Sequence, residues 1–235
     1  VSVPQLPLAL RYPPDQRFDT YLDAPDGALA QLQALAIAGG DDWLYLSGPA
    51  GVGKTHLLLA TCAAAETAGR RVAYLPLPAA AGRLGEALQA LEGNDLVALD
   101  GLEAIAGRRE DEVALFDTHN RARASGACLL YAARGNPAEL ELGLPDLRSR
   151  LSQCARVALQ SLDDDGRRAV LSQRARRRGL VLEDAALDWL LRRAGRDLVG
   201  LTGLLDRLDR ASLAAQRRVT VPFLREALGG SLDKS

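Results

Sequence analysis

Five short apolar runs punctuate the chain: Trp43–Leu46, Val72–Leu75, Leu96–Leu99, Cys128–Ala132 and Ala155–Leu159. Runs this short, apolar at nearly every position, predict strands buried on both faces. Longer segments with helical spacing lie between them, over 54–68, 80–92, 109–125 and 145–153. The first three are closed by Gly69, Gly93 and Gly126, the expected left-handed stops. Strands alternating with helices predict an α/β fold on a five-stranded parallel sheet, with ligands collecting at the carboxyl ends of the strands.

From Ser161 onward the strand signals stop. Ser161-Leu-Asp-Asp164 reads as a helix start, with an amphipathic helix to Arg178 before Gly179. A second helix is expected over 183–194 and a third over 196–216. Thr220, with Pro222 in the first turn, opens a last short helix through Leu228. Residues 1–14 carry four prolines and read as an extended arm. The pattern therefore divides the chain into an arm (1–14), an α/β core (15–160) and an all-helical lid (161–235).

Composition changes this picture little. At 235 residues and 48% hydrophobic, the chain can bury one large core and a small accessory unit. A formal net charge of -1 supplies no global field toward nucleic acid or an anionic membrane. Cys62, Cys128 and Cys154 are far apart in apolar contexts and read as buried core residues of a reducing compartment. No apolar run approaches the roughly 18 residues that span a bilayer, and no basic stretch followed by an apolar one opens the chain. The expectation is a cytoplasmic protein with no membrane association.

The chemistry concentrates after the first apolar run. Gly48-Pro-Ala-Gly51-Val-Gly53-Lys54-Thr55 follows that run and precedes Leu57-Leu58-Leu59-Ala60, the strand, glycine loop and helix order of a P-loop. Glycines let backbone N–H groups turn inward around phosphates. Lys54 reaches the outer phosphates, Thr55 offers a hydroxyl to Mg²⁺, and the helix N-terminus adds its positive dipole end. Only Lys54 and Lys234 among the 29 basic residues are lysine, so an arginine-rich chain keeps a compact ammonium where phosphate is expected. Asp100, at the end of Leu96–Leu99, is the candidate second magnesium-site residue. A second acid to polarise the attacking water would follow it; Gly101 stands there, with Glu103 two residues further on. Intrinsic hydrolysis is therefore expected to be slow, with binding untouched.

Arg148 and Arg150, in Leu142-Gly-Leu-Pro-Asp-Leu-Arg-Ser-Arg-Leu151, precede the last strand, where an arginine can reach a neighbour's γ-phosphate. Spacing alone favours a surface salt-bridge role for them. Arg196 begins the third lid helix and fits either a nucleotide contact from the lid or a solvated helix start. His56 reads as a packing or helix-surface residue, and His119 is too distant in sequence to pair with it.

Several motifs then align in order: Lys54-Thr-His-Leu-Leu58, Leu99-Asp-Gly-Leu-Glu-Ala-Ile-Ala-Gly107, Leu115-Phe-Asp117 with Asn120-Arg121, Leu142 to Leu151, and Leu208-Asp-Arg-Ala-Ser212 with Ala215-Gln-Arg217. Together they resemble the AAA+ family in its replication-initiator branch, and within it the regulatory inactivators of the initiator DnaA. The resemblance covers nearly the whole chain. It implies a resident adenine nucleotide, ADP or ATP, with Mg²⁺ at Thr55 and Asp100; Arg150 as an arginine finger acting in trans; and Arg196 as a lid sensor. Gln5-Leu6-Pro-Leu8-Ala-Leu10 resembles the peptide by which such proteins dock on the DNA polymerase III sliding clamp, with Leu6, Leu8 and Leu10 entering an apolar pocket and Gln5 supplying a hydrogen bond. The implied partners are DnaA and the clamp, with DNA reached only indirectly through the clamp and room left for a homo-oligomer. One departure is plain: Ala133, Arg134 and Gly135 occupy the position where the family's first sensor places a short polar residue. With the segment after 160 taken up by the lid, no helix-turn-helix DNA-binding domain is expected. The expected function is a clamp-tethered regulator that stimulates hydrolysis of DnaA-bound ATP. The alternative is a free-standing AAA+ ATPase remodeller such as a helicase loader, which would need Glu103 as its acid. A non-catalytic adaptor is a third reading.

Overall fold

Each apolar run becomes a parallel strand because its side chains find apolar cover above and below the sheet. In the computed structural model, which describes residues 16–180, 182–193 and 220–228, these strands are β1 (Leu44–Ser47), β2 (Val72–Pro76), β3 (Leu96–Asp100), β4 (Cys128–Ala133) and β5 (Ala155–Ala158). They pair in the order β2-β3-β4-β1-β5. The register aligns Ser47 with Ala133 and Asp100 with Ala132, so the carboxyl ends of β1, β3 and β4 finish at one level. Tyr45, Leu46, Ala98, Leu99 and Leu130 are fully buried.

Helices α1 (Ala28–Ala38), α2 (Lys54–Thr67), α3 (Leu77–Ala80), α4 (Leu84–Gln89), α5 (Arg109–Ser125) and α6 (Pro145–Ser152) cover the sheet. The strands and the helices α2, α5 and α6 fall within one or two residues of the sequence expectation. Two differences have physical causes. The helix expected over 80–92 is instead the short pair α3 and α4. The buried Asp111 carboxylate of α5 accepts from the N–H groups of Gly82, at 2.6 Å, and Leu84, at 3.1 Å, and so captures the backbone where a continuous helix would use it. Helix α1 has no counterpart in the sequence reading. Gly27 precedes it and Gly39 ends it, with no side-chain cap to announce either end.

A second compact unit begins after Leu159. Its described helices are α7 (Asp164–Arg177), α8 (Asp184–Arg193) and α9 (Val221–Leu228). Helix α7 starts later than the expected Ser161: its cap is Asp163, which accepts from Gly166 N–H at 2.7 Å. Val170, Leu171 and Ala175 of α7, Ala186, Leu187 and Leu190 of α8 and Leu224 of α9 are buried. An Arg168–Asp188 ion pair at 2.6 Å adds a link between α7 and α8. The expected arm, residues 1–14, and the expected helix over 196–216 lie outside the described residues. Among the described residues no helix is long and apolar enough to cross a membrane, and all three cysteines are free and buried.

One buried polar cluster holds α5 against the sheet. His119 is 2% exposed, shares a 2.8 Å hydrogen bond between Nδ1 and the Tyr131 hydroxyl, and meets the Trp43 ring edge-on at 4.6 Å. The Arg123 guanidinium lies over the Trp43 ring, 4.1 Å from its centroid. Burial first, then the positive charges of Arg123 and Arg150, lowers the His119 pKa from 6.5 to about 4. The imidazole is therefore neutral in the folded protein at pH 7, and the unfolded chain binds the extra proton between pH 6.5 and 4. The stability from this site is full above pH 6.5 and is lost as pH falls through that window, by on the order of 2 kcal/mol after allowance for solvent screening. Denaturant titrations of the wild type and His119→Gln from pH 4 to 7 should give a stability difference that grows with pH across the window; a pH-independent difference would contradict it.

Candidate functional site

The glycine loop leaves β1 at the level where β3 and β4 also end. Behind it, residues 17–21 brace the loop and the start of α2. The Tyr21 hydroxyl donates to the Val52 carbonyl at 2.8 Å, and a Cβ on Gly53 would lie 2.6 Å from the Tyr21 ring, so only glycine fits there. His56 Nε2 lies 3.0 Å from Thr20 Oγ1 and 2.8 Å from the Arg17 carbonyl. It is buried, and it packs the segment before α1 onto α2.

Lys54 Nζ donates to the carbonyls of Gly48, at 2.6 Å, and Pro49, at 2.7 Å, so the ammonium is folded over its own loop. Partial burial lowers its pKa; Glu103 and Asp100 oppose that shift, and Arg134 adds to it. A phosphate group would relieve this desolvation by supplying the missing negative charge. Thr55 Oγ1 donates to Asp100 Oδ2 at 2.6 Å. A hydroxyl from the first turn of α2 and a carboxylate from the end of β3 thus form a hard-oxygen pair suited to a divalent cation.

Two further residues complete the arrangement: Tyr74, not singled out in the sequence, and Arg134, read there only as a departure at the first-sensor position. The Tyr74 hydroxyl, from β2, donates to the same Asp100 oxygen at 2.9 Å. Burial, and next the Asp100 charge, holds the Tyr74 phenol well above its ordinary pKa. Its one local signal is a lone hydroxyl inside the apolar run Val72–Leu75. Arg134 pairs with Glu103 through Nε at 3.1 Å, and its backbone N–H donates to the other Glu103 oxygen at 3.1 Å. Glu103, the acid two residues past Gly101, is therefore held by Arg134. No acid can follow Asp100 directly without strain, because Gly101 turns the chain with φ of 86°.

The structure thus gathers the loop of Gly48, Gly51 and Gly53 with Lys54, Thr55 and Asp100. Arg148 and Arg150 stand apart from this set on α6, exposed and without a salt bridge among the described residues. Arg196 and the Gln5, Leu6, Leu8 and Leu10 group lie outside the described residues. Among those described, no cluster of three or more His, Cys, Asp or Glu side chains could hold a metal alone, so a cation here would need phosphate oxygens as well.

A five-stranded parallel sheet with the P-loop after β1, a strand-end aspartate on β3 and a following helical unit defines an AAA+ α/β fold with a lid. Residues 164–228 match the family model described as Hda, lid domain. Domain III of the replication initiation protein DnaA from Thermotoga maritima superimposes with a TM-score of 0.79 at 20% identity, covering 95% of this chain and 99% of that one. AMPPCP-bound DnaA from Aquifex aeolicus gives 0.68 at 21% identity, covering 86% and 67%. The Thermotoga maritima RuvB Holliday junction branch migration motor gives 0.65 at 17%, covering 93% and 72%. The resemblance read in the sequence, to the replication-initiator branch of AAA+ and to its Hda-type members, is borne out.

Tyr74→Phe removes one hydrogen bond from Asp100 without changing the fold of β2. It should raise the Mg²⁺ concentration needed for half-maximal nucleotide binding by about tenfold, read by titrating Mg²⁺ against a fluorescent nucleotide; an unchanged Mg²⁺ requirement would show that Tyr74 does not orient the aspartate.

Proposed function

We propose that the chain is a nucleotide-bound regulator of bacterial replication initiation that docks on the sliding clamp and uses Arg150 to stimulate hydrolysis of ATP held by DnaA. The observation that carries this reading is an imbalance. The site has parts for gripping a nucleotide, while Glu103, an acid beside it, is tied to Arg134, and Arg150 stands exposed on α6 without a salt bridge among the described residues. A protein built this way holds its own nucleotide and spends its arginine elsewhere.

The donor set fits the implied ligand. Lys54 and the loop N–H groups would grip the phosphates of ADP or ATP, and Thr55 and Asp100 would hold Mg²⁺. When bound, the magnesium nucleotide supplies the polyphosphate charge that the Lys54 ammonium and the start of α2 are arranged to neutralise. The residues of this chain do the rest: Tyr74 orients Asp100, Tyr21 and His56 brace the loop, and Gly101 leaves the water-activating position without an acid. In the partner's site, the Arg150 guanidinium would meet charge developing on the transferred phosphoryl oxygens. Two similarities support the reading: the Hda lid-domain match over 164–228 and the likeness of fold to a DnaA that binds AMPPCP. Residues 5–10 supply the clamp tether, and Arg196 the lid's contact with the nucleotide.

Arg150→Ala should lower the stimulated hydrolysis of DnaA-bound ATP by about a thousandfold, the scale of a lost arginine finger, while nucleotide and clamp binding persist. Full stimulation by that variant would sink the mechanism. Deleting residues 1–10 should abolish stimulation on clamp-loaded DNA and spare nucleotide affinity.

The position of Glu103, close enough to Lys54 to influence its charge, favours the second reading, a free-standing ATPase remodeller such as a helicase loader. Turnover without any partner near the common enzymatic value of about 10 per second would establish it. Under the regulator reading that turnover is slow, and Arg134→Ala, which removes the side-chain ion pair to Glu103 and leaves only the backbone N–H bond, should raise it several-fold. Adding Glu103→Gln should remove the gain.

A further inference from the structure

Helix α6, which carries Arg150, begins without a cap of its own. Its N-cap residue is Leu144, whose side chain has no acceptor, and Pro145 has no N–H to offer. The N–H of the N-cap residue itself, and that of Gly143 just before it, are satisfied from a distance. Glu112, in the first turn of α5 and completely buried, accepts from Leu144 N–H at 2.7 Å through one oxygen and from Gly143 N–H at 3.0 Å through the other. The second oxygen also accepts from Gly107 N–H at 2.7 Å. Gly107 closes the loop that starts at Asp100 and Gly101 and carries Glu103, so the same carboxylate touches the loop of the nucleotide site and the root of the arginine helix.

We infer that Glu112 is a positioning residue: its buried carboxylate caps α6 and fastens that helix to the loop following Asp100, which sets the pose in which Arg150 is offered to a partner. This rests on the trans-acting role proposed for Arg150. The physical ground is the fit of donors to acceptors. Three backbone N–H groups from two loops converge on a side chain that can only accept, and bonds to such a charged acceptor are about twice as strong as neutral ones. The carboxylate also places negative charge at the positive end of α6. Glutamine cannot reproduce the set, because its NH₂ would face at least one N–H donor and leave that donor unpaired in the interior.

The neighbouring residue supplies a matched control. Asp111 is nearly as buried, at 3% exposed, and its carboxylate likewise staples backbone N–H groups, but those of Gly82 and Leu84 near α4. A purely structural effect of losing a buried carboxylate should appear in both variants; a positioning effect should appear in Glu112→Gln alone.

The test compares full-length Glu112→Gln, Asp111→Asn and Arg150→Ala in stimulated hydrolysis of DnaA-bound ATP on clamp-loaded DNA, with ADP affinity measured for each alone. Glu112→Gln should lower the maximal stimulated rate by about tenfold or more, with ADP affinity and the half-maximal protein concentration within about threefold of wild type. Asp111→Asn should keep its maximal rate within about twofold even where its melting temperature falls as far. Equal losses in the two variants, or an undiminished maximum in Glu112→Gln, would overturn the inference. Should Glu112→Gln fail to fold, native-state hydrogen exchange of the wild type decides. The amides of Gly107, Gly143 and Leu144 share one acceptor and should open with one common free energy; three different opening energies would overturn the linkage. Full stimulation by Arg150→Ala would instead remove the reading on which the inference rests, while the exchange result would still decide the linkage itself.

Discussion

Thr55 lies in the first turn of α2, after the glycine loop that leaves β1, and Asp100 ends β3, a strand that does not touch β1, yet their side chains lie 2.6 Å apart. They meet across β4, which lies between β1 and β3 in the sheet, and only because all these strands run parallel and end level. A one-residue slip in the β3–β4 pairing would turn Asp100 to the opposite face. The glycine loop, the bracing by Tyr21 and His56 and the Tyr74 hydroxyl bond all presuppose this alignment. The uninterrupted burial of β3 and β4 is therefore not separate from the site, since it is what holds two polar groups at bonding distance at the sheet's edge.

On the proposed reading, the molecule divides around that contact two tasks that a self-sufficient hydrolase would combine. Gripping is local: the loop, Lys54, Thr55, Asp100 and Tyr74 converge at the strand ends. Among the described residues, Gly101 stands next to Asp100 where a water-activating acid would follow, and Glu103 is bonded twice by Arg134. Arg150 faces outward instead, on a helix whose first turn is held by a carboxylate of another helix. Glu112 joins the two tasks, since its oxygens reach both the loop of the site and the start of α6.

Much of this was legible in the chain, and the reason lies in the range of the interactions. Parallel strands buried on both faces are continuous apolar runs, so Leu96–Leu99 and Cys128–Ala132 announce themselves. The P-loop is a contiguous motif whose chemistry follows from its own residues. The break between α3 and α4 was not legible, because it is imposed by Asp111, far along the chain. Helix α1 escaped notice because neither end carries a side-chain cap. Tyr74, and the role of Arg134 beyond its place at the first-sensor position, were not legible for a related reason: each acts through a residue brought beside it by strand register or by the turn after a strand, which no local spacing reveals. Gly101 could be read as a missing acid, but the Arg134–Glu103 pair that engages the nearest substitute appears only in three dimensions.

The central claim is that the hydrolysis this chain promotes takes place in another protein's nucleotide site. It is tested most directly by a single-turnover experiment with the label on one side only. DnaA is loaded with radiolabelled ATP and this protein with unlabelled nucleotide, the two are mixed on clamp-loaded DNA, and the labelled product bound to each protein is counted. The account predicts labelled ADP on DnaA at a rate set by this protein's concentration, and negligible turnover when the label is carried by this chain instead. Rapid hydrolysis of the label on this chain, with none on DnaA, would contradict it.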